Sequence, residues 1–262
     1  MQIVGYATDA GEGGAGLLFS DGDGSEVEFD SIAPGAELSY TLGARRCAGT
    51  VHDGEHLACD AEEAPYCRDH ADTWVCARCT GTCLKDEMDC HEEHAVYLAA
   101  FAPDRFKVGV TRLWRLETRL REQGADQAAH VRTVSDGRIA REIEAEIAAR
   151  DDLPVPVTDS VRVARKRRGL GRDVDLGAWN QLCSAFDPHE TFAFDYGLEL
   201  DRRPVAETML TGTVRGTKGR LLVLDRGAST YAVDLRDLVG HEVVPERSRR
   251  ERQSSLGAFE AN

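Results

Sequence analysis

The stretch HAVYLAAFAPDRFKVGVTRLWRLETRLREQGA, His94 to Ala125, decides the fold. HAVYLAAF and FKVGVT are apolar runs of strand length, and Pro103 and Asp104 in the intervening APDR carry turn chemistry. The spacing predicts a hairpin over 95–110. Tyr97 shares the inner-type positions of the first strand with Ala99 and Phe101. Gly109 on the second strand lets a backbone or ligand approach closely. From Arg112 to Glu122, Leu113, Leu116 and Leu120 recur at helical spacing, and Gly124 in E-Q-G-A is a helix stop.

Upstream lies a Cys/His-rich module, 47–94. Of the chain's eight cysteines, seven fall between Cys47 and Cys90, and Cys183 stands alone. Clustered cysteines with interleaved histidines read as metal ligands in a reducing compartment, where disulfides are disfavoured. One set is Cys47, Cys59, Cys67 and His70, closing in a C-x-x-H knuckle. A second is Cys76, Cys79, Cys83 and Cys90, in which His91 or His94 can replace one thiolate. Zinc takes four such N or S ligands in structural sites, so two structural zinc ions are expected. An iron–sulfur cluster at the second set, or a redox pair at Cys76 and Cys79, are the alternatives. The module is poor in apolar residues, so metal would supply its folding energy. It carries twelve Asp or Glu against three Arg or Lys, which argues against its gripping phosphates.

Downstream, Ile139, Ile143 and Ile147 mark a second helix, ended by Pro154 and Pro156, and Leu176, Trp179, Leu182 and Phe186 a third. Between them VRVARKRRGLGR holds six bases and no acid: Arg162, Arg165, Lys166, Arg167, Arg168 and Arg172. Gly169 and Gly171 suggest a flexible loop, and arginine suits phosphate through its bidentate fork. The run therefore predicts a nucleic-acid partner, DNA or RNA. Strands are expected at both ends, IVGYAT, GLLF, EVEFDSI and LSYTL first, then TFAFDY, MLTGTV, RLLVLD and TYAVDL. The ends resemble one another, as two small β units packed in one sheet or barrel would. The expected boundaries are 1–46, 47–94, 95–152, 153–190, 191–246 and a disordered tail, 247–262.

The net charge is −14, and only four of the 32 bases are lysine. Abundant acid with scarce lysine is the composition of proteins from salt-loving cells, where the Debye length falls to ~3 Å. Local basic patches are then more informative than the total. No run of 18 apolar residues and no signal-peptide pattern occurs, so a cytoplasmic protein without a membrane partner is expected.

The central stretch is similar to the core of the GIY-YIG nuclease superfamily. Most of the chain resembles an uncharacterised family that joins such a core to a Cys-rich zinc-like region. Ala95-Val96-Tyr97 sits where the first motif falls, and Lys107-Val108-Gly109 where the second does. The resemblance implies an α+β fold: a small GIY-YIG-like α/β core with a zinc-binding Cys/His module and flanking small β units. It also implies divalent-metal-dependent phosphodiester cleavage. Tyr97 would assist the water, Arg119 (or Arg115) would stabilise the phosphoryl charge, and Glu144 would hold Mg2+ or Mn2+. Lys107 and Arg112 would contact phosphate, Arg112 at a helix start where amide N–H groups favour an anion. Lys107 replaces the family's second tyrosine and Ala95 its first glycine. A non-catalytic DNA- or RNA-binding module that retains the fold is the alternative.

Overall fold

The computed structural model describes residues 1–8, 13–71 and 91–244. The fold is α+β. Strands β1 (Gln2–Ala7), β2 (Gly16–Ser20), β3 (Glu28–Ser31) and β4 (Glu37–Arg45) come first, followed by a small hairpin of β5 (Thr50–His52) and β6 (Glu55–Leu57). The centre holds β7 (His94–Phe101), β8 (Arg105–Arg112), α1 (Leu116–Gln123), β9 (Gln127–Val134), α2 (Gly137–Ala148), β10 (Val157–Thr158), α3 (Val163–Arg168), α4 (Leu176–Ser184) and β11 (Glu190–Ala193). The chain then runs through β12 (Val205–Ala206), β13 (Leu210–Lys218), β14 (Leu221–Arg226), β15 (Ser229–Asp234), α5 (Leu235–Leu238) and β16 (His241–Val244).

The expected hairpin forms the middle of a five-stranded sheet, β10-β8-β7-β9-β11. β7 is buried along its whole length because helices cover both faces. Its alternation assigns each side chain a face. Val96, Leu98 and Ala100 pack with Phe106 and Val108 against Ala140 and Ile147 of α2 and Trp179 and Leu182 of α4. Ala95, Tyr97, Ala99 and Phe101 pack against Leu116 and Leu120 of α1. Local chemistry sets the helix ends. Asp136 accepts from Ile139 N–H at 2.9 Å to start α2, Asp175 does the same for Ala178 on α4, and Gly124, left-handed at φ 67°, ends α1.

The two end units form one nine-stranded sheet, β12-β15-β14-β13-β4-β16-β1-β2-β3, by exchanging strands. β1-β2-β3 and β13-β14-β15 are like meanders, each with a bulge one residue before a glycine, at Ile3/Gly5 and Val214/Gly216. The fourth strand of each crosses to the other: β4 pairs with β13, β16 pairs with β1, and the two crossing strands pair with each other. The exchange explains why one core cluster joins Ile3, Leu17 and Phe19 to Leu222, Val233 and Leu238.

Two expectations are corrected. The basic run is not a flexible loop. Val163–Arg168 is helical, and a Cβ at Gly169 would lie 1.9 Å from the Ala102 carbonyl, so that glycine serves a close approach to the β7–β8 turn. TFAFDY does not join the C-terminal unit, because β11 pairs with β9 in the central sheet. The expected tail, 247–262, lies outside the described residues.

The two sheets meet at a pair of glycines. A Cβ at Gly219, in the β13–β14 turn, would lie 2.6 Å from Gly124 N and 2.7 Å from Glu122 O. Gly227 also has positive φ but nothing within 4 Å of its Cβ. Gly219→Ala is therefore expected to cost about 1–3 kcal/mol more than Gly227→Ala, as overpacking does. Paired urea unfolding curves measure the difference, and equal costs would contradict the contact.

Candidate functional site

The first ligand set converges. Cys47 follows β4, the β5–β6 hairpin separates it from Cys59, and a short turn carries Cys67 and His70. Their ligand atoms all lie within 4.8 Å of one another. Cys67 Sγ is 3.2 Å and Cys47 Sγ 3.5 Å from His70 Nδ1, and Cys59 Sγ is 3.9 Å from Cys67 Sγ. Tetrahedral zinc with Zn–S near ~2.3 Å separates its sulfurs by ~3.8 Å, so these donors fit such an ion. Backbone N–H groups of Gly49 and Cys67 donate to Cys47 Sγ at 3.4 and 3.2 Å and hold the sulfur in place. Burial pushes the Cys67 thiol up, but hydrogen bonds from His70, Asp69 and Cys47 more than offset it and hold it at about 7. The Cys3His cluster can hold a metal ion such as zinc.

Other histidines and cysteines differ. His56 is buried with its two ring nitrogens 2.9 Å from Ser20 Oγ and from the Ala48 carbonyl, so it braces the hairpin. Burial pushes the Cys183 thiol up to about 11, as befits a packing residue. Cys76, Cys79, Cys83 and Cys90 lie outside the described residues. His94 begins β7, and its Nδ1 donates to the Glu92 carbonyl at 2.7 Å. That bond leaves Nε2 the lone pair in the neutral ring.

Beside the Cys3His cluster, with His70 on its wall, is a cavity of about 1120 Å³ between the two sheets. Lys107, Arg119, Lys166, Lys218, Arg220 and Arg236 line it, against one carboxylate, Glu122. Three of the chain's four lysines thus meet in one place. Gln123 is the hub. Lys107 Nζ donates to its Oε1 at 3.1 Å, Lys166 Nζ to its backbone carbonyl at 2.7 Å, and its Nε2 donates to the Tyr97 hydroxyl at 2.5 Å. Lys218 is paired with Asp126 at 2.5 Å, Arg220 with Asp234 at 2.8 Å and Arg119 with Glu122 at 3.0 Å. Lys107, Lys166 and Arg236 have no carboxylate partner among the described residues. Burial, then the charges of Lys107, Arg220, Arg119 and Lys218, bring Lys166 from its ordinary 10.5 down to about 7.

The structure brings together only part of the expected site. Tyr97, Lys107 and Arg119 lie on the α1 face. Tyr97 is 1% exposed, and the close approach at Gly109 is made by its phenol, 2.5 Å from where a Cβ would stand. Glu144 is on α2, which packs on the opposite face, and its carboxylate bonds Arg141 at 2.6 Å. The four do not form one constellation. Arg112 does not start an anion-binding helix: it ends β8, is paired with Glu92 at 3.3 Å, and a three-residue 3-10 turn follows. Of the basic run, Lys166 alone lines the cavity. Arg162, Arg165, Arg168 and Arg172 are exposed elsewhere on α3 and its flanks, and Arg167 is half-buried. Gln123, Lys218, Arg220 and Arg236 were not anticipated. The scarcity of lysine was the one signal for Lys218.

Two outcomes are expected. Cys67→Ser should lose one zinc equivalent relative to wild type in elemental analysis and melt at lower temperature; unchanged metal content would contradict the cluster. Lys166→Met should stabilise the fold. The folded pKa lies below the unfolded one, so the unfolded chain binds more protons between about 7 and 10.5, and wild-type stability rises with pH across that window. The gain should be about 2–4 kcal/mol near pH 6 and shrink toward pH 10, read from urea curves. A gain independent of pH would contradict a lowered Lys166 pKa.

No helix among the described residues is long and apolar enough to cross a membrane. No curated protein and no solved structure matches the chain. The family model described as "Protein of unknown function (DUF2797)" matches residues 45–243, a span that takes in the Cys3His ligands, the central sheet and all six cavity cations. The chain belongs to the DUF2797 family.

Proposed function

We propose that this chain is a metal-stabilised nucleic-acid-binding protein whose phosphate-gripping surface is the cavity between α1, α3 and the β13–β14 turn. One observation carries the reading: six cations line a cavity with a single carboxylate in its wall, and three of them, Lys107, Lys166 and Arg236, have no carboxylate partner among the described residues, in a chain of net charge −14. Acidic chains do not gather like charge in a partly buried place without a counter-charge to meet. The exposed arginines Arg162, Arg165, Arg168 and Arg172 on α3 and its flanks would add contacts to further phosphates of a strand.

The role of the metal in this reading is to hold the wall of the cavity at His70. Four protein ligands leave such an ion no open position for water activation. A second zinc at Cys76, Cys79, Cys83 and Cys90 rests on sequence spacing. Cleavage in the GIY-YIG manner would need a carboxylate-held cation beside Tyr97 and Arg119, and Glu144 lies across the sheet from them. Binding without cutting is therefore the reading favoured over cleavage with Mg2+ or Mn2+.

Fluorescence anisotropy with labelled RNA and DNA, at low salt and in molar KCl, tests this. Lys107→Ala and Arg236→Ala should each weaken binding roughly tenfold, the cost of one charge-assisted contact. Unchanged affinity would move the site elsewhere. Cleavage that requires Mg2+ and is lost in Glu144→Gln would overturn the binding-only reading.

A further inference from the structure

The cavity cations are drawn from separate elements of the fold. Lys107 comes from β8, Arg119 from α1, Lys166 from α3, and Lys218 and Arg220 from the two sides of the β13–β14 turn. The charges of the other four all act on Lys166. A groove that tracks a strand spaces its cations along the backbone, one per phosphodiester. A convergent set concentrates them on a single centre.

The balance of charge narrows the ligand. Lys218, Arg220 and Arg119 already have carboxylate partners. Lys107 and Lys166 meet only the neutral oxygens of Gln123. Lys107 and Arg236, with no carboxylate partner among the described residues, and Lys166, which becomes an ammonium when it takes up a proton, call for at least two negative charges in the cavity. A phosphodiester carries one. A phosphomonoester carries about 1.5 to 2 near neutral pH, with three terminal oxygens to share among donors.

A second observation is independent of the lysines. Arg220 Nε is the one buried side-chain nitrogen or oxygen among the described residues without a hydrogen-bond partner. Leaving a buried donor unpaired costs about 1–3 kcal/mol. Arg220 lines the same cavity, and only its Nη2 is taken, by Asp234. Turning its guanidinium toward an anion gives up no bond at Nε.

We propose that the inner end of the cavity is a receptor for a phosphomonoester, the terminal phosphate of a nucleic-acid strand, held by Lys107, Lys166 and Arg220. This rests on the nucleic-acid reading above and adds that the chain recognises an end. A free nucleotide offers the same chemistry from another source. Near-neutral Lys166 fits the role: it lowers repulsion in the free cavity and takes up a proton when the anion arrives. The Phe101 ring centroid lies 4.1 Å from Lys166 Nζ, a contact that favours the protonated form once the anion is bound.

The test uses the full chain and labelled oligonucleotides of one sequence bearing a 5′-phosphate, a 3′-phosphate or only hydroxyl ends, with AMP and inorganic phosphate as competitors. One phosphorylated end should bind about tenfold tighter than the hydroxyl form. Lys107→Gln and Lys166→Met should each erase that ratio, whereas Arg165→Ala should weaken both forms and leave the ratio. Binding with equal affinity for all three ends would overturn end recognition and leave the nucleic-acid reading standing. AMP binding that is lost in Lys166→Met, with no oligonucleotide bound, would support the phosphomonoester receptor and overturn the nucleic-acid reading. Failure of every probe to bind would overturn both.

Discussion

Repulsion among the cations around Lys166 is the constraint on which the rest of the site depends. Lys107, Arg119, Lys218 and Arg220 all press on an amine whose burial already disfavours its charge. Such an arrangement costs stability, and it persists only because packing on either side holds the groups in place. The architecture meets that cost in two ways. Three of the neighbouring cations are tied to carboxylates, and the two free lysines are anchored on one residue, Gln123, at the end of α1. The carbonyl that receives Lys166 is one of the unsatisfied groups at a helix C-terminus, where positive charge is favoured.

The long-range structure is what brings these residues together. Lys107 and Lys166 belong to the central part of the chain, and Lys218 and Arg220 to the second meander. Strand exchange fixes the second meander against the first, and the Gly124–Gly219 contact sets its turn against α1. The metal cluster sits beside the cavity, where Cys47 follows β4 into the ligand loop. A small loop region without an apolar core of its own gains its rigidity from such an ion. The cavity thus draws on the exchanged sheet, the central sheet and the knuckle at once.

Much of the fold was legible from local chemistry. The β7–β8 hairpin, the stop at Gly124, the stripe of Ile139, Ile143 and Ile147, and the likeness of the two ends all express period, turn residues and glycine conformation. β9 was missed because QAAHVRTV lacks a clear apolar/polar alternation and its first half is built on small alanines, which fit a strand packed between neighbours. The first ligand set was legible because cysteine spacing constrains geometry. The cavity was not, since Lys107, Lys166 and Lys218 are 59 and 52 positions apart and no local period connects them. The run at Arg162–Arg172 drew notice as a block, whereas helix formation turns Lys166 inward and leaves its neighbours outside. The side of the sheet on which Glu144 lies was hidden for a related reason: a helix stripe shows that one face is buried, not which side of a sheet it covers.

The central claim is that Lys166 is a half-buried amine waiting for an anion. With only four lysines in the chain, selective carbon-13 labelling at lysine Cε gives a spectrum in which Lys166 is assigned by its loss in Lys166→Met. A pH titration with and without inorganic phosphate is the direct measurement. The account predicts a Lys166 signal that titrates near 7 in the free protein and moves upward when phosphate is added. A Lys166 signal that titrates near ~10.4, as an exposed lysine does, and ignores phosphate would contradict it.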